Sequence, residues 1–181
     1  MTTLRTTLSL VDAAVLAPVY RDPQQRLRIV LVRRGPRGIH GGQIAFPGGR
    51  REPEDADLLA TALREAEEEI GLPARSVDVL AELPVIDTMS TGFRVAPFLG
   101  RLAGPPPAWK RQEEEIAEIL EVPVDELLQP EAQGEEAWQF PQWPQPMRVP
   151  FYRIGPHKLW GATYRIIHPL LPRLMSGEFR I

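Results

Sequence analysis

The strongest local pattern in the chain is Arg64-Glu65-Ala66-Glu67-Glu68-Glu69-Ile70-Gly71-Leu72. Apolar residues recur at three- and four-residue spacing in this stretch and just before it, at Leu59, Ala62, Leu63, Ala66 and Ile70. That spacing predicts an α-helix over residues 55–70 with one apolar stripe facing the core. Asp55 or Asp57 could cap its start, and Gly71 is placed to end it in a left-handed conformation.

Three carboxylates share one side of this helix. Glu65, Glu68 and Glu69 are three and four residues apart, so they project from one face, which we expect to lie away from the apolar stripe. Like charges this close repel one another, and a cation that prefers oxygen ligands would compensate them, with Mg²⁺ as the default. The Gly48-Gly49 turn upstream could add a backbone carbonyl to the same ion. The alternative is a solvated acidic face without a ligand.

Apolar, β-branched runs separated by turn residues predict strands on both sides of the helix. We expect an end to regular structure at Pro47-Gly48-Gly49, a short helix at 123–128, an irregular stretch at 130–150 that could hold a small hairpin, and a closing helix at 160–175. The predicted strands cover residues 11–20, 27–33, 43–46, 77–85, 93–102 and 119–122. Strands and helices alternate unevenly and no linker interrupts them. This predicts a single domain over residues 1–181, of the α/β (α+β) class, with a mixed sheet flanked by helices.

The net charge of −3 is the sum of unlike segments. Residues 49–70 hold 8 acids and 3 bases, residues 113–126 hold 7 acids and no base, and the remainder holds 18 bases and 9 acids. This distribution suggests a cation site beside an anion-binding surface, and the overall charge argues against a general nucleic-acid binder. The absence of cysteine excludes thiolate metal sites and a cysteine nucleophile. We expect a cytoplasmic protein without a membrane partner, since no apolar run is long enough to span a bilayer.

At these residues the chain resembles the Nudix hydrolases, whose box reads Gly-x5-Glu-x7-Arg-Glu-U-x-Glu-Glu-x-Gly-U, where U is aliphatic. The stretch from Arg64 to Leu72 matches every fixed position of the second half. In the first half, one extra residue separates Gly49 from Arg64, so Glu54 can fill the place of the first glutamate only with a shifted loop. The resemblance implies an α/β/α sandwich and a hydrolase that attacks phosphorus with water.

A narrower resemblance, to the coenzyme A pyrophosphatase branch, lies outside the box. It is carried by Arg33, Gly42 and Phe46-Pro47-Gly48-Gly49, and by Thr91-Gly92-Phe93-Arg94-Val95-Ala96-Pro97-Phe98 and Trp160-Gly161-Ala162-Thr163. The branch's second arginine falls on Gly38, with Arg37 one place early, and Arg34 replaces a residue that is usually small. The resemblance implies that coenzyme A is cut to 3′,5′-ADP and 4′-phosphopantetheine. The residues expected to contact this substrate are Arg33, Arg34, Arg37, His40, Gly48 and Gly49.

The resemblance also implies roles for the box residues. Glu65, Glu68, Glu69 and the Gly49 carbonyl would hold Mg²⁺, with Mn²⁺ as a substitute, and Arg64 would orient a ligand carboxylate. The general base is a box carboxylate or a glutamate from a distant loop. Glu115 is the candidate we prefer, with Glu114 and Glu118 as rivals. Three alternatives stay open: a Nudix enzyme for another substrate such as NADH or an ADP-sugar, a non-catalytic nucleotide-binding regulator, and an interaction domain with a solvated acidic helix.

Overall fold

The computed structural model describes residues 10–36, 41–88, 91–140 and 144–181, so Arg37 and His40 lie outside the described residues. The helices are α1 (Leu58–Ile70), α2 (Val124–Leu127) and α3 (Gly161–Met175). The strands are β1 (Val11–Arg21), β2 (Leu27–Arg34), β3 (Ile44–Ala45), β4 (Gly48–Arg50), β5 (Val77–Glu82), β6 (Ile86–Asp87), β7 (Phe93–Leu102), β8 (Ile116–Pro123), β9 (Gln133–Trp138), β10 (Met147–Ile154) and β11 (His157–Leu159). No helix in these ranges combines the length and apolarity needed to cross a bilayer.

Eight strands form the main sheet, in the order β3-β2-β1-β7-β5, with β8 also pairing with β2, β4 with β1, and β6 with β7. The central pair β1 and β7 is parallel, whereas the other pairs are antiparallel. The expected mixed sheet is therefore confirmed. A second, antiparallel sheet has the order β11-β10-β9.

Both faces of the main sheet are buried, as the alternation of side chains along β1 shows. Ala14 and Leu16 belong to one apolar cluster, with Ala62 and Ala66 of α1, while Ala17 belongs to a second cluster on the opposite face. That second cluster also contains Tyr152 and Leu159 of the second sheet. It includes the buried residues of α2 and α3, which are Val124, Leu127, Ile166, Ile167, Leu170, Leu171 and Leu174. Helices thus cover the sheet on both sides, as expected for an α/β/α arrangement.

Three expectations about local structure need correction. Residues 48–50 do not leave regular structure, because β4 pairs with β1 and places Gly48 opposite Val15. The stretch 130–150 is more regular than expected, and the small hairpin that it could hold is present, because β9 and β10 pair from Gln133 opposite Tyr152 to Trp138 opposite Met147. Helix α1 begins at Leu58 and not at residue 55. Asp57 caps it by accepting a hydrogen bond from Ala60 N at 2.8 Å.

Candidate active site

Strand β4, which carries Gly48 and Gly49, and the carboxylate helix α1 lie together beside β1. A Cβ atom at Gly48 would lie 2.3 Å from Ala14 O and 2.6 Å from Val15 Cα, so only glycine lets β4 approach β1 this closely. The Gly48 N–H points at α1 and donates a 3.0 Å hydrogen bond to Oε2 of Glu69. This bond joins β4 directly to Glu69, the last carboxylate of α1.

Glu69 is buried, with 1% of its side chain exposed. Its position corrects the expectation that all three carboxylates lie away from the apolar stripe. Burial raises the pKa of Glu69 to about 7, opposed by the charge of Arg34 and the Gly48 N–H. Its Oε1 accepts no hydrogen bond from the described residues, and the Arg34 guanidinium lies 3.6 Å away. A buried carboxylate oxygen without a donor is costly in free energy, and a bound ion or an ordered water would satisfy it.

Glu65 and Glu68 occupy different surroundings from Glu69. The Glu65 carboxylate packs on Gly49, since a Cβ atom there would lie only 2.5 Å from Glu65 Oε1. Burial raises the pKa of Glu65, and the neighbouring Arg64 opposes that rise. Glu68 is half exposed. Arg64 Nη1 donates to both, at 3.0 Å to Glu65 Oε1 and 3.1 Å to Glu68 Oε2. Arg64 therefore contacts both carboxylates at once.

Asp55 is the site residue whose role the sequence did not reveal. It forms a two-point ion pair with Arg64, at 2.9 Å from Nε to Oδ1 and 3.0 Å from Nη2 to Oδ2. It also accepts hydrogen bonds from Glu52 N and the Thr61 hydroxyl, both at 2.9 Å. The hydrogen bonds from Arg64 hold the pKa of Asp55 well below its usual range. Glu54, by contrast, is exposed. The extra residue in the box thus puts Asp55, and not Glu54, against Arg64.

Arg33 and Arg34 end β2 beside the site but face different partners. Arg33 Nε donates to Glu118 Oε2 at 3.2 Å, across the β2–β8 register that sets these residues opposite each other. His157 Nε2, from β11, lies 3.8 Å from the same oxygen. No local motif marks His157, because it reaches this place through the pairing of the second sheet. Glu118, a rival for the general base, is therefore engaged by Arg33.

The acidic loop before β8 is tied to the site through its backbone. Gln112 N donates to Glu69 O at 3.0 Å, and Gly35 N donates to Glu115 O at 2.6 Å. Glu115 is exposed, and its charge contributes to the raised pKa of both Glu65 and Glu69. The structure thus brings the preferred base candidate into electrostatic range of two box carboxylates.

A metal ion would meet only oxygen donors at this site, the chemistry that Mg²⁺ and Mn²⁺ prefer. Within the described ranges, no three acidic or histidine side chains stand close enough together to hold an ion in their present positions. Arg64 occupies oxygens of Glu65 and Glu68. The buried Oε1 of Glu69 is the acceptor that is short of a donor. The donor types and this oxygen fit an oxygen-preferring divalent cation.

Comparison with known proteins gives the family. Residues 11–143 match the family described as NUDIX domain, which covers most of the chain. The chain therefore belongs to the Nudix family.

Individual relatives agree with this assignment. The uncharacterized Nudix hydrolase NudL of Salmonella paratyphi B is 42% identical over 127 residues, which cover 68% of this chain and 62% of that protein. The chain thus spans less than two thirds of that relative's length. A MutT/nudix family protein from Enterococcus faecalis superposes with a TM-score of 0.63 at 14% identity, over 92% of this chain and 62% of that one. A C. elegans Ap4A hydrolase superposes with a TM-score of 0.54 at 18% identity, over 64% of this chain and 82% of that one. At these low identities, the two structural similarities show only that the chain has the Nudix fold.

Proposed function

We propose that this protein hydrolyses the diphosphate of coenzyme A or a derivative, releasing 3′,5′-ADP and 4′-phosphopantetheine. The observation that carries the proposal is Glu69, whose buried carboxylate is held by the Gly48 N–H and has one oxygen without a donor. Burying such a group unsatisfied is expensive, so its presence beside the glycines of β4 favours a ligand-binding role over a structural one.

Nudix hydrolases generally use divalent cations such as Mg²⁺. Glu65, Glu68, Glu69 and the Gly49 carbonyl are the groups that would hold the ion. When bound, Mg²⁺ would neutralise charge that develops on the diphosphate and lower the pKa of water. Arg64 would keep Glu65 and Glu68 in place, with Asp55 holding Arg64.

The reaction needs no protein nucleophile. A water oxygen attacks one phosphorus, the bond from that phosphorus to the bridging oxygen breaks, and the bridging oxygen leaves with the second phosphate. Glu115 would accept the proton of the attacking water, since it lies on a loop tied to Glu69 and Gly35 by backbone hydrogen bonds. Glu114 keeps its place as the rival to be tested.

Coenzyme A is preferred over other dinucleotides because of the residues around the turn. The run Phe46-Pro47-Gly48-Gly49, with Gly42 and Arg33, is similar to the coenzyme A branch. The three phosphate groups of coenzyme A also need several cations, and arginine binds phosphate through two N–H groups. Arg33 and Arg34, at the end of β2, would supply them, and Arg37 and His40 stay predicted contacts outside the described residues.

The whole chain is proposed to act as one domain. Tyr152 and Leu159 of the second sheet share a buried cluster with Ala17 and Leu31 of the main sheet, which supports a common core. The second sheet also supplies His157 beside Arg33 and Glu118. The cytoplasmic location stays a prediction, and cell fractionation would test it.

The test is a substrate panel with coenzyme A, ADP-ribose, NADH and Ap4A, in Mg²⁺ or Mn²⁺, with chromatographic identification of products. We expect coenzyme A to be cleaved fastest and to give the two named products. Turnover of coenzyme A no faster than that of ADP-ribose would make the substrate assignment wrong. No hydrolysis of any compound, with retained binding, would favour a nucleotide-binding regulator.

Glu69→Gln separates the proposed role from a general effect of helix charge. We expect it to lower the rate by about a hundredfold or more, since the neutral amide is a poor ligand for a divalent cation. Glu67→Gln is the matched control, because Glu67 lies exposed on the same helix. Equal activity of the Glu69→Gln protein and the wild type would contradict the assignment of Glu69.

A further inference from the structure

Arg34 occupies an unusual position relative to the buried carboxylate. Its Nη1 lies 3.6 Å from Glu69 Oε1, the oxygen that accepts no hydrogen bond from the described residues. The other oxygen, Oε2, is taken by the Gly48 N–H. A separation of 3.6 Å is too long for a hydrogen bond, so the contact is one of charge alone.

The Arg34 side chain is held much more loosely than its backbone. The backbone is fixed by hydrogen bonds from Arg34 N to Gln43 O at 2.9 Å and from Gly42 N to Arg34 O at 3.1 Å. The side chain is 31% exposed and ends in the loose contact with Glu69. Its neighbour Arg33, in comparison, donates a 3.2 Å hydrogen bond to Glu118. A long side chain on a rigid strand end can move between two partners with little change elsewhere.

A divalent cation held by Glu69 would have to lie against the same oxygen that the Arg34 guanidinium faces. Both would neutralise the same buried Oε1 of Glu69, and two cations cannot lie against one oxygen without strong repulsion. The substrate diphosphate offers the guanidinium a second partner of better geometry, since arginine binds phosphate through two N–H groups.

We propose that Arg34 stands in for the divalent cation on Glu69 in the metal-free protein, and that ion binding releases its guanidinium to the substrate diphosphate. This inference rests on the proposed metal-dependent hydrolase function. It makes Arg34 a competitor of the metal ion and a substrate contact in turn. In the metal-free protein, Arg34 then neutralises the buried carboxylate of Glu69. Its guanidinium becomes free to bind phosphate only when the metal ion is in place.

Metal affinity tests the competition without any measurement of activity. We expect Mn²⁺ to bind Arg34→Ala at least about fivefold more tightly than the wild type by calorimetry, the size of a modest coupling between two ligands. Arg34→Lys keeps the charge and should stay near the wild type. The matched control is Arg33→Ala, which removes the same charge from the adjacent residue, whose partner is Glu118. We expect a much smaller change there.

Thermal unfolding in EDTA at pH 8 gives a second measurement. We expect Arg34→Ala to lower Tm by about 2–4 °C, because Glu69 then stays buried without a positive partner. The loss should disappear in the Glu69→Gln background and on addition of Mn²⁺. Unchanged Mn²⁺ affinity, or equal tightening in Arg33→Ala, would overturn the inference, as would an unchanged Tm in EDTA.

The two proposals fail differently. If the wild type binds Mn²⁺ and cleaves coenzyme A but Arg34→Ala leaves ion affinity unchanged, only the role of Arg34 is wrong. If the wild type binds no divalent cation, the metal-dependent function and the role of Arg34 fall together.

Discussion

Gly49→Ala is expected to damage the candidate site while leaving the fold intact. A Cβ atom at this position would lie 2.5 Å from Glu65 Oε1, 2.6 Å from its Cδ and 2.7 Å from its Oε2. Since carbon and oxygen atoms in contact normally lie about 3.5 Å apart, the carboxylate must move by about 1 Å. These three nearest atoms all belong to the end of a flexible side chain, so the backbone of β4 can stay in place.

The displaced carboxylate should cost catalysis more than stability. Glu65 would leave its 3.0 Å contact with Arg64 and its place as a metal ligand. A misplacement of about 1 Å can lower an enzymatic rate by about a hundredfold. The unfolding free energy should fall by only about 1 kcal/mol, because no buried backbone contact is broken.

Two further glycine variants make this experiment decisive. Gly48→Ala would place its Cβ 2.3 Å from Ala14 O, a backbone atom, and should lower the unfolding free energy by about 1–3 kcal/mol. Gly104→Ala has open space around the new methyl group and should resemble the wild type in both respects. Rates of diphosphate cleavage and urea denaturation are measured for all three. Full activity of Gly49→Ala would refute the placement of Glu65 against the turn.

Three other predictions concern residues around the helix. Arg64→Ala should lower the unfolding free energy by about 2–3 kcal/mol, measured by urea denaturation, because Asp55 stays buried without its two-point partner. Gly71→Ala should cost about 1 kcal/mol by the same measurement, since residue 71 ends α1 with a φ of 70°. Glu115→Gln should lower kcat by about a hundredfold if Glu115 is the base, while Glu114→Gln should leave kcat near the wild-type value.

Each of these predictions has an outcome that contradicts it. Because the pKa of Asp55 is depressed, its ion pair stabilises the protein above the unfolded-state pKa of about 4 and is lost at lower pH. The difference between wild type and Arg64→Ala should therefore shrink in acid, and a constant difference would argue against the pair. An unchanged unfolding free energy in Gly71→Ala would contradict the helix cap. Equal loss of activity in the two glutamine variants would leave no special role for Glu115.

Local sequence patterns predicted the elements of this protein well. The 3.6-residue periodicity before Gly71 predicted α1, and the left-handed cap at Gly71 is confirmed. Strands β1, β2 and β7 were also predicted, because their apolar runs are long and bounded by turn residues. Such features depend on neighbours within a few positions, and a single sequence displays them directly. Of the second sheet, the sequence suggested only a small hairpin within residues 130–150, and the pairing of β10 with β11 was not predicted.

The residue types of the candidate site were determined by the sequence, but its charge pairs were decided by tertiary structure. The spacing of Glu65, Glu68 and Glu69 placed them on one helix, yet it did not reveal that Glu69 is buried against Gly48. Helix periodicity fixes only directions around an axis, whereas burial depends on what packs against each direction. The pairs of Arg34 with Glu69 and of Arg64 with Asp55 depend on strand register and loop length, which no local pattern encodes. Long-range packing therefore decided which of the many charged residues became partners.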